Sequence, residues 1–321
     1  MIIKEIKTED LRPEEFIKQK VEEISDIVGN GFAVNTLSGG VDSSTVTILG
    51  HKALGDRLRT YFIDNGLMRE NEPEQVASLF DGLGIHVEII DAQKQFLEVL
   101  KGIIDPEEKR EVIAQTFYKD VFGKLVRENN AKYLLQGTIL TDVDETIAGI
   151  KRQHNVFEQL GINPDKEFGY RIIEPLIQLR KDGVRKIAKT LGLPESVYNR
   201  KPFPGPALAA RVIGEVTIEK IKIIRQATDI VENELSDTDA FQYMAILHND
   251  RVTGMRNNKR DFGLQIEIRC WNSVDARTAT PTRLPFDILE KLSKRITTEV
   301  PGVVSVTYNI TSKPPSTMEV I

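Results

Sequence analysis

Asn35-Thr36-Leu37-Ser38-Gly39-Gly40-Val41-Asp42-Ser43-Ser44 is the stretch on which the reading of this chain turns. Phe32-Ala33-Val34 ahead of it reads as a short buried strand. Thr45 to Leu54 behind it reads as a helix, with Val46, Ile48, Leu49 and Ala53 among small polar residues. A glycine pair between strand and helix lets the backbone turn tightly and approach a ligand without a Cβ in the way. Ser43 or Ser44 then falls at a helix N-terminus, where unpaired N–H groups form an anion site. Ser38, Ser43 and Ser44 add hydroxyls, and Asp42 places a carboxylate where a phosphate-bound magnesium needs an oxygen ligand. Spacing alone leaves two readings open, a plain strand-turn-helix with a serine cap or a phosphate cradle. The stretch is neither a Gly-Lys-Ser/Thr phosphate loop nor a G-x-G-x-x-G fingerprint.

With 321 residues, about two domains are expected. Forty per cent of the residues are hydrophobic, enough for a core in each. A formal charge of −5 gives no global pull toward nucleic acid. The single cysteine, Cys270, excludes an internal disulfide and a four-cysteine zinc site. It stands in an apolar strand pattern, Ile266 to Trp271, and reads as a buried structural thiol. No signal segment opens the sequence and no apolar run reaches membrane-spanning length, so a soluble cytoplasmic protein is expected.

Along the chain, Pro13 starts a helix whose apolar positions Phe16, Ile17, Val21, Ile24, Ile27 and Val28 recur at helical spacing up to Gly29. Strands are expected at Leu58–Asp64, His86–Asp91, Lys132–Leu135 and Ile172-Ile173. Helices are expected over Glu72–Leu83, Lys94–Leu100 and Pro106–Asn129. Strands alternating with helices predict an α/β fold with a doubly wound parallel sheet. Ligands on such sheets bind at the carboxyl ends of strands. Ser38-Gly39-Gly40, Asp64-Asn65-Gly66 and Gln136-Gly137-Thr138 all fall at such ends. The pattern weakens over 140–170, where Lys151 and His154 sit in a long polar segment, a lid or a solvated loop. Lys201-Pro202-Phe203-Pro204-Gly205-Pro206 is the boundary, since three prolines and a glycine resist regular structure. Residues 1–200 and 201–321 are therefore the expected domains, the second of α+β type. In it, helices are expected at Thr217–Leu235 and Pro285–Thr297, and strands at Gln242–Leu247, Leu264–Cys270 and Val303–Asn309.

Ser38 to Ser44 resembles the Ser-Gly-Gly-x-Asp-Ser loop of the ATP pyrophosphatase superfamily. Asn199 through Leu208, Arg211 through Val216, and Lys313-Pro314-Pro315-Ser316-Thr317-Met318-Glu319 are similar to the linker and ending of GMP synthetases. Gln136-Gly137-Thr138 with Asp142 and Glu145, then Ile150-Lys151 with His154, match that family in order. The likeness runs from about residue 11 to the end and covers the synthetase part, without the amidotransferase domain fused in many members.

The resemblance implies ATP-dependent amidation of XMP to GMP through an adenylyl-XMP intermediate, with release of AMP and pyrophosphate. Ammonia would come from a separate glutamine amidotransferase subunit. It implies ATP and Mg2+ as cofactors, with Asp42 and Lys151 in the catalytic roles and Asp42 the magnesium ligand. Ser38, Gly39, Gly40, Val41, Asp42, Ser43, Ser44, Phe62, Ile63, Asp64, Gly137 and Thr138 would line the ATP site. Arg200, Arg211, Arg269, Lys313, Thr317 and Glu319 would hold XMP. A homodimer through the second domain, and no nucleic-acid or membrane partner, are also implied. The acceptor side departs from the family pattern. Ala207 stands where glycine is usual, Gly254-Met255-Arg256-Asn257-Asn258 replaces a Gly-Val-x-Gly-Asp loop, and the tail ends Glu319-Val320-Ile321. These departures keep two alternatives open. One is a sister ligase with a changed acceptor, NAD synthetase-like or tRNA-modifying. The other is a non-catalytic adenine-nucleotide-binding regulator.

Overall fold

The computed structural model describes residues 3–129, 131–147, 169–256, 258–274 and 276–320. The chain divides into two compact units. The first holds residues 1–64, 72–91 and 117–200, and the second holds 65–71, 92–116 and 201–321. The long stretch of the second unit starts at Lys201, inside the Pro/Gly-rich run. Two shorter pieces, one of them the loop after Asp64, cluster with it.

In the first unit, β1 (Ala33–Thr36), β2 (Leu58–Asp64), β3 (Val87–Asp91), β4 (Tyr133–Leu135) and β5 (Arg171–Ile173) form one sheet in the order β3-β2-β1-β4-β5. Every pairing is parallel. The order runs outward in both directions from β1, so the chain reverses its sense of winding between β1 and β4. Ligands bind open α/β sheets at that switch point, outside the strand ends. The expected doubly wound parallel sheet is what forms, with β1 starting one residue later than expected because Phe32 is 43% exposed.

Helix α1 (Pro13–Val28) begins at Pro13 and ends at Gly29 in a left-handed conformation. It buries Phe16, Lys20, Ile24 and Val28 along one i, i+4 row. Ile17, Val21 and Ile27 lie off that row, and buried Lys20 reaches Glu23 at 2.7 Å. Helix α2 (Val41–Leu54) starts four residues earlier than its apolar pattern announces. It is buried on nearly all sides, and both of its threonines bond back into the helix. Thr45 donates to the Val41 carbonyl at 2.6 Å and Thr47 to that of Ser43 at 2.9 Å. Asn35 of β1 donates to Thr47 at 2.6 Å and accepts from Thr60 of β2 at 2.8 Å. These bonds tie α2 to the sheet at a defined height, just behind the glycine turn.

Short α3 (Glu72–Asp81) follows β2, and α4 (Gln93–Val99) follows β3. The expected helix Pro106–Asn129 is three segments: α5 (Pro106–Gln115), a π-helical turn over Thr116–Phe122, and α6 (Gly123–Glu128). Its i, i+4 pattern breaks where the turn inserts a residue. Then come α7 (Leu140–Ile147), α8 (Lys181–Thr190) and α9 (Glu195–Tyr198).

The second unit carries α10 (Ile218–Leu235), β6 (Gln242–Arg256), β7 (Lys259–Asn272), β8 (Thr280–Pro281), α11 (Phe286–Glu299) and β9 (Val303–Tyr308). Strands β6 and β7 make an antiparallel hairpin with a register shift between Leu247 and Arg251, and β9 runs parallel to β7. Both strands extend well beyond the expected Gln242–Leu247 and Leu264–Cys270. Their outer halves are largely exposed and polar, which hides them from an apolar pattern. One side of the sheet packs α10, through Ile221, Ile224, Ala227 and Val231. Met244, Ile246, Trp271 and Ala279 form a cluster that the tail closes with Met318. The tail is thus a folded part of the core. Cys270 is 1% exposed and burial pushes its thiol up, as a structural cysteine requires.

Lys109 of α5 is 1% exposed, and its ammonium donates to the Val212 carbonyl at 2.8 Å. Burial, with Lys220 nearby, lowers it from 10.5 to about 8. The unfolded chain therefore binds more protons between about pH 8 and 10.5, and stability rises with pH across that window. Denaturant unfolding at pH 7.5 and 10 should show wild type gaining up to about 3 kcal/mol relative to Lys109→Met. Parallel pH profiles for the two would contradict this.

Candidate functional site

The turn after β1 is built around Gly39, whose φ of +72° is costly for any residue with a Cβ. Space forbids one as well. A Cβ there would stand 2.7 Å from the Arg200 guanidinium and 2.9 Å from Val76. Arg200 donates to the Gly39 carbonyl at 2.9 Å and to the Glu72 carboxylate. In a trans peptide the carbonyl and the next N–H point opposite ways. Holding the Gly39 carbonyl therefore turns the Gly40 N–H away from Arg200.

The first hydrogen bond of α2 joins the Ser44 N–H to the Gly40 carbonyl at 3.0 Å, leaving Val41, Asp42 and Ser43 N–H groups without partners inside the helix. Ser38 and Ser43 hydroxyls meet at 3.0 Å, and the Ser38 N–H donates to Ser43 at 3.2 Å. Val41 and Ser44 are buried, so the first offers only its backbone and the second a hydroxyl turned inward. Gly137, after β4, packs on this helix start. A Cβ on it would lie 3.0 Å from both the Asp42 carbonyl carbon and the Ser43 nitrogen. Two of the expected loops therefore meet across the switch point. Thr138 is buried and accepts from the Gln136 amide at 2.9 Å. At the end of β2, Phe62 and Ile63 are core side chains and Asp64 is half-buried. Asn65 and Gly66, expected alongside it, belong to the second unit. There Arg225 donates to the Gly66 and Met68 carbonyls at 2.7 and 2.9 Å.

Asp42 sits in the first turn of α2. Its Oδ2 accepts from Lys181, at the start of α8, at 2.6 Å. Its Oδ1 is buried and has no hydrogen-bond partner among the described residues. A buried carboxylate oxygen left open beside free helix N–H groups suits a cation shared with phosphate oxygens. Magnesium bound to nucleotides takes only one or two protein carboxylates. Among the described residues no group of three acidic, histidine or cysteine side chains gathers that could hold a metal ion by itself. Lys181 escaped the sequence reading because a lysine opening a helix has no distinguishing pattern. Lys151 and His154 lie outside the described residues.

Of the residues expected to hold the acceptor, Arg200 is engaged with the glycine turn in the first unit. The others lie in the second. Arg211 is fully buried, stacks on Phe203 at 4.7 Å and lies 3.5 Å from Glu319. Gln242 also donates to Glu319, at 2.8 Å. Arg269 donates to the carbonyls of Thr317 and Met318 at 2.8 and 3.2 Å, and the Thr317 hydroxyl donates to the Glu319 carbonyl at 2.5 Å. Lys313 reaches the Ala276 carbonyl at 2.8 Å. Ala207 has φ +53° while buried, a conformation that costs a non-glycine residue about 1–2 kcal/mol.

Residues 11–130 match the NAD synthase family model, and residues 229–320 match the GMP synthase C terminal domain. One of the named subunits of "GMP synthase [glutamine-hydrolyzing]" in Archaeoglobus fulgidus is 46% identical over 95% of this chain and 98% of its own length. The same-named protein of Methanocaldococcus jannaschii is 45% identical over 96% of this chain and 98% of its own. A longer relative, "GMP synthase [glutamine-hydrolyzing]" of Pyrobaculum aerophilum, is 48% identical over 96% of this chain, which spans 62% of it. Among solved structures, an NH3-dependent NAD synthetase from Campylobacter jejuni aligns at 17% identity and a TM-score of 0.48, over 59% of this chain and 78% of that one. The family expected from the loop, linker and tail is thus the family found, and the chain belongs to the family of these archaeal GMP synthase subunits.

Proposed function

We propose that this chain is the ligase that converts XMP to GMP. The 2-oxygen of XMP attacks the α-phosphorus of ATP and pyrophosphate leaves. Ammonia then adds at the purine C2, and AMP departs with that oxygen while a proton is lost to solvent. The observation that carries the reading is the glycine turn at the switch point, where, among the described residues, an Asp42 oxygen without a partner accompanies helix N–H groups without partners inside the helix.

The N–H groups of Gly40, Val41, Asp42 and Ser43, with the Ser38 and Ser43 hydroxyls, would hold the leaving phosphates. Fixed donors aimed at developing charge act without reorganising during the reaction. Asp42 Oδ1 would hold magnesium, which when bound neutralises charge on the leaving pyrophosphate. Lys181 keeps Asp42 in place and adds positive charge beside the same phosphates. Lys151 is our candidate for closing over the α-phosphate. The acceptor would bind in the second unit through Arg211, Arg269, Lys313, Thr317 and Glu319. The GMP synthase C terminal match covers four of these five and favours XMP over the NAD synthetase-like acceptor.

Cys270 is buried and cannot act as a glutaminase nucleophile. The naming of the similar archaeal proteins as subunits of a glutamine-hydrolyzing synthase supports ammonia arriving from a separate glutaminase subunit. We also propose a homodimer through the second unit, where Met255, Phe262, Phe286 and Ile310 are exposed. Among the described residues no helix is long and apolar enough to cross a membrane, and a cytoplasmic location suits the substrates.

The test is turnover by the purified chain. With ATP, XMP and ammonium it should yield GMP, AMP and pyrophosphate in equal amounts, and with glutamine in place of ammonium it should yield none. ADP and phosphate as products, or ATP cleavage indifferent to XMP, would overturn the assignment.

A further inference from the structure

Glu267, midway along β7, has a side chain 12% exposed and meets three donors. The Arg269 Nε lies 2.5 Å from its Oε1, the Asn309 amide 3.0 Å from the same oxygen, and the His248 Nε2 2.8 Å from Oε2. These partners come from three places: His248 from β6, Arg269 from β7 itself, and Asn309 from just beyond β9. Glu267 and Arg269 are two apart on one strand, so they share a face of the sheet. Burial works against the Glu267 carboxylate, but the bonds from Arg269, His248 and Asn309 outweigh it and hold the group below its ordinary range.

A guanidinium is a rigid planar fork, so fixing Nε fixes the direction of its other N–H groups. With Nε held by Glu267, the Arg269 Nη1 lies on the carbonyls of Thr317 and Met318. Those two contacts bend the tail into the turn that seats Met318 in the core and brings Glu319 beside Gln242 and Arg211.

We infer that Glu267 is a positioning residue for the acceptor, setting through Arg269 the carboxy-terminal turn that carries Thr317 and Glu319. This rests on the acceptor reading above, in which those two residues contact XMP. Glu267 touches neither substrate. Its action is on where the tail lies before the acceptor arrives.

Glu267→Gln keeps the shape and removes the charge. In the full-length chain it should raise the KM for XMP at least tenfold. The KM for ATP and kcat at saturating XMP should stay within twofold of wild type. Without nucleotide, amide hydrogen exchange over residues 312–320 should quicken about tenfold. A general loss of structure would instead move both KM values and exchange throughout the second unit. An unchanged KM for XMP overturns the inference, with or without faster tail exchange. If wild type binds ATP but turns over no XMP, the acceptor reading fails on its own. Faster tail exchange in Glu267→Gln would then still support the link from Glu267 to the tail, and unchanged exchange would overturn it. Should Glu267→Gln fail to fold, Asn309→Ala removes one donor and leaves the Arg269 pair. A KM for XMP raised about threefold supports the inference, and no rise overturns it.

Discussion

Asp42→Ala is expected to lower kcat with XMP and ammonium by about a thousandfold while the protein stays folded. Two effects combine at this residue. Its Oδ1, buried and without a hydrogen-bond partner among the described residues, is the oxygen proposed to hold the nucleotide's magnesium, and its Oδ2 fixes Lys181 at 2.6 Å. Losing one preorganised contact to developing charge costs about 3–4 kcal/mol in such sites, and about 4 kcal/mol is a thousandfold. Stability should move little, for opposing reasons. Removing a carboxylate from the first turn of α2 gives up about 0.3–1 kcal/mol with the helix dipole. Removing a buried acceptor that lacks a partner relieves a desolvation cost of similar or larger size. Lys181 is 44% exposed and is rehydrated once its partner is gone. Asp42→Asn should lose nearly as much turnover, because a neutral amide keeps the volume and not the charge. Steady-state kinetics beside thermal melts decide it. An alanine variant with more than a tenth of wild-type kcat would remove Asp42 from its role.

The glycine turn was legible because its chemistry is contiguous: glycines, hydroxyls and a carboxylate must follow one another between a strand and a helix. The parallel sheet was legible for a related reason, since its strands are short apolar runs with helices between. What stayed hidden depends on distance or on satisfied polarity. Lys181 meets Asp42 from 139 residues away, and no local pattern distinguishes it from other helix-opening lysines. Helix α2 looked shorter than it is because it is buried nearly all round, so Ser43, Thr45 and Thr47 bond to its own carbonyls rather than marking a solvent face. The outer halves of β6 and β7 are mostly polar and exposed, and no alternation betrays them. Arg200, placed in the acceptor set by the family resemblance, has its guanidinium held by the Gly39 carbonyl and Glu72, a link across 161 and 128 residues that no local pattern announces.

Glu319→Ala should be the most damaging change on the acceptor side, in stability as well as binding. Arg211 is fully buried, and Glu319, 3.5 Å away, is the acid that faces it among the described residues. The Phe203 ring at 4.7 Å supplies a cation–π contact that cannot replace a carboxylate. Truncating Glu319 strands that guanidinium and also leaves the Gln242 amide, 2.8 Å from Glu319, without its acceptor. Removing one partner of a buried pair costs about 3–5 kcal/mol. The low end applies, because Glu319 is 18% exposed and water can follow the truncation. At about 2–4 °C per kcal/mol for a unit of this size, melting should fall by roughly 6–12 °C. Binding of XMP should weaken at least tenfold, the equivalent of one lost charged hydrogen bond. Adding Arg211→Met separates the two effects. The double variant no longer buries a lone charge, so most of the melting temperature should return while XMP binding stays lost. Calorimetry of XMP and melting curves for the single and double variants provide the check. A Glu319→Ala protein that melts and binds XMP like wild type would show that the Arg211–Glu319 pair neither holds the tail nor meets the acceptor.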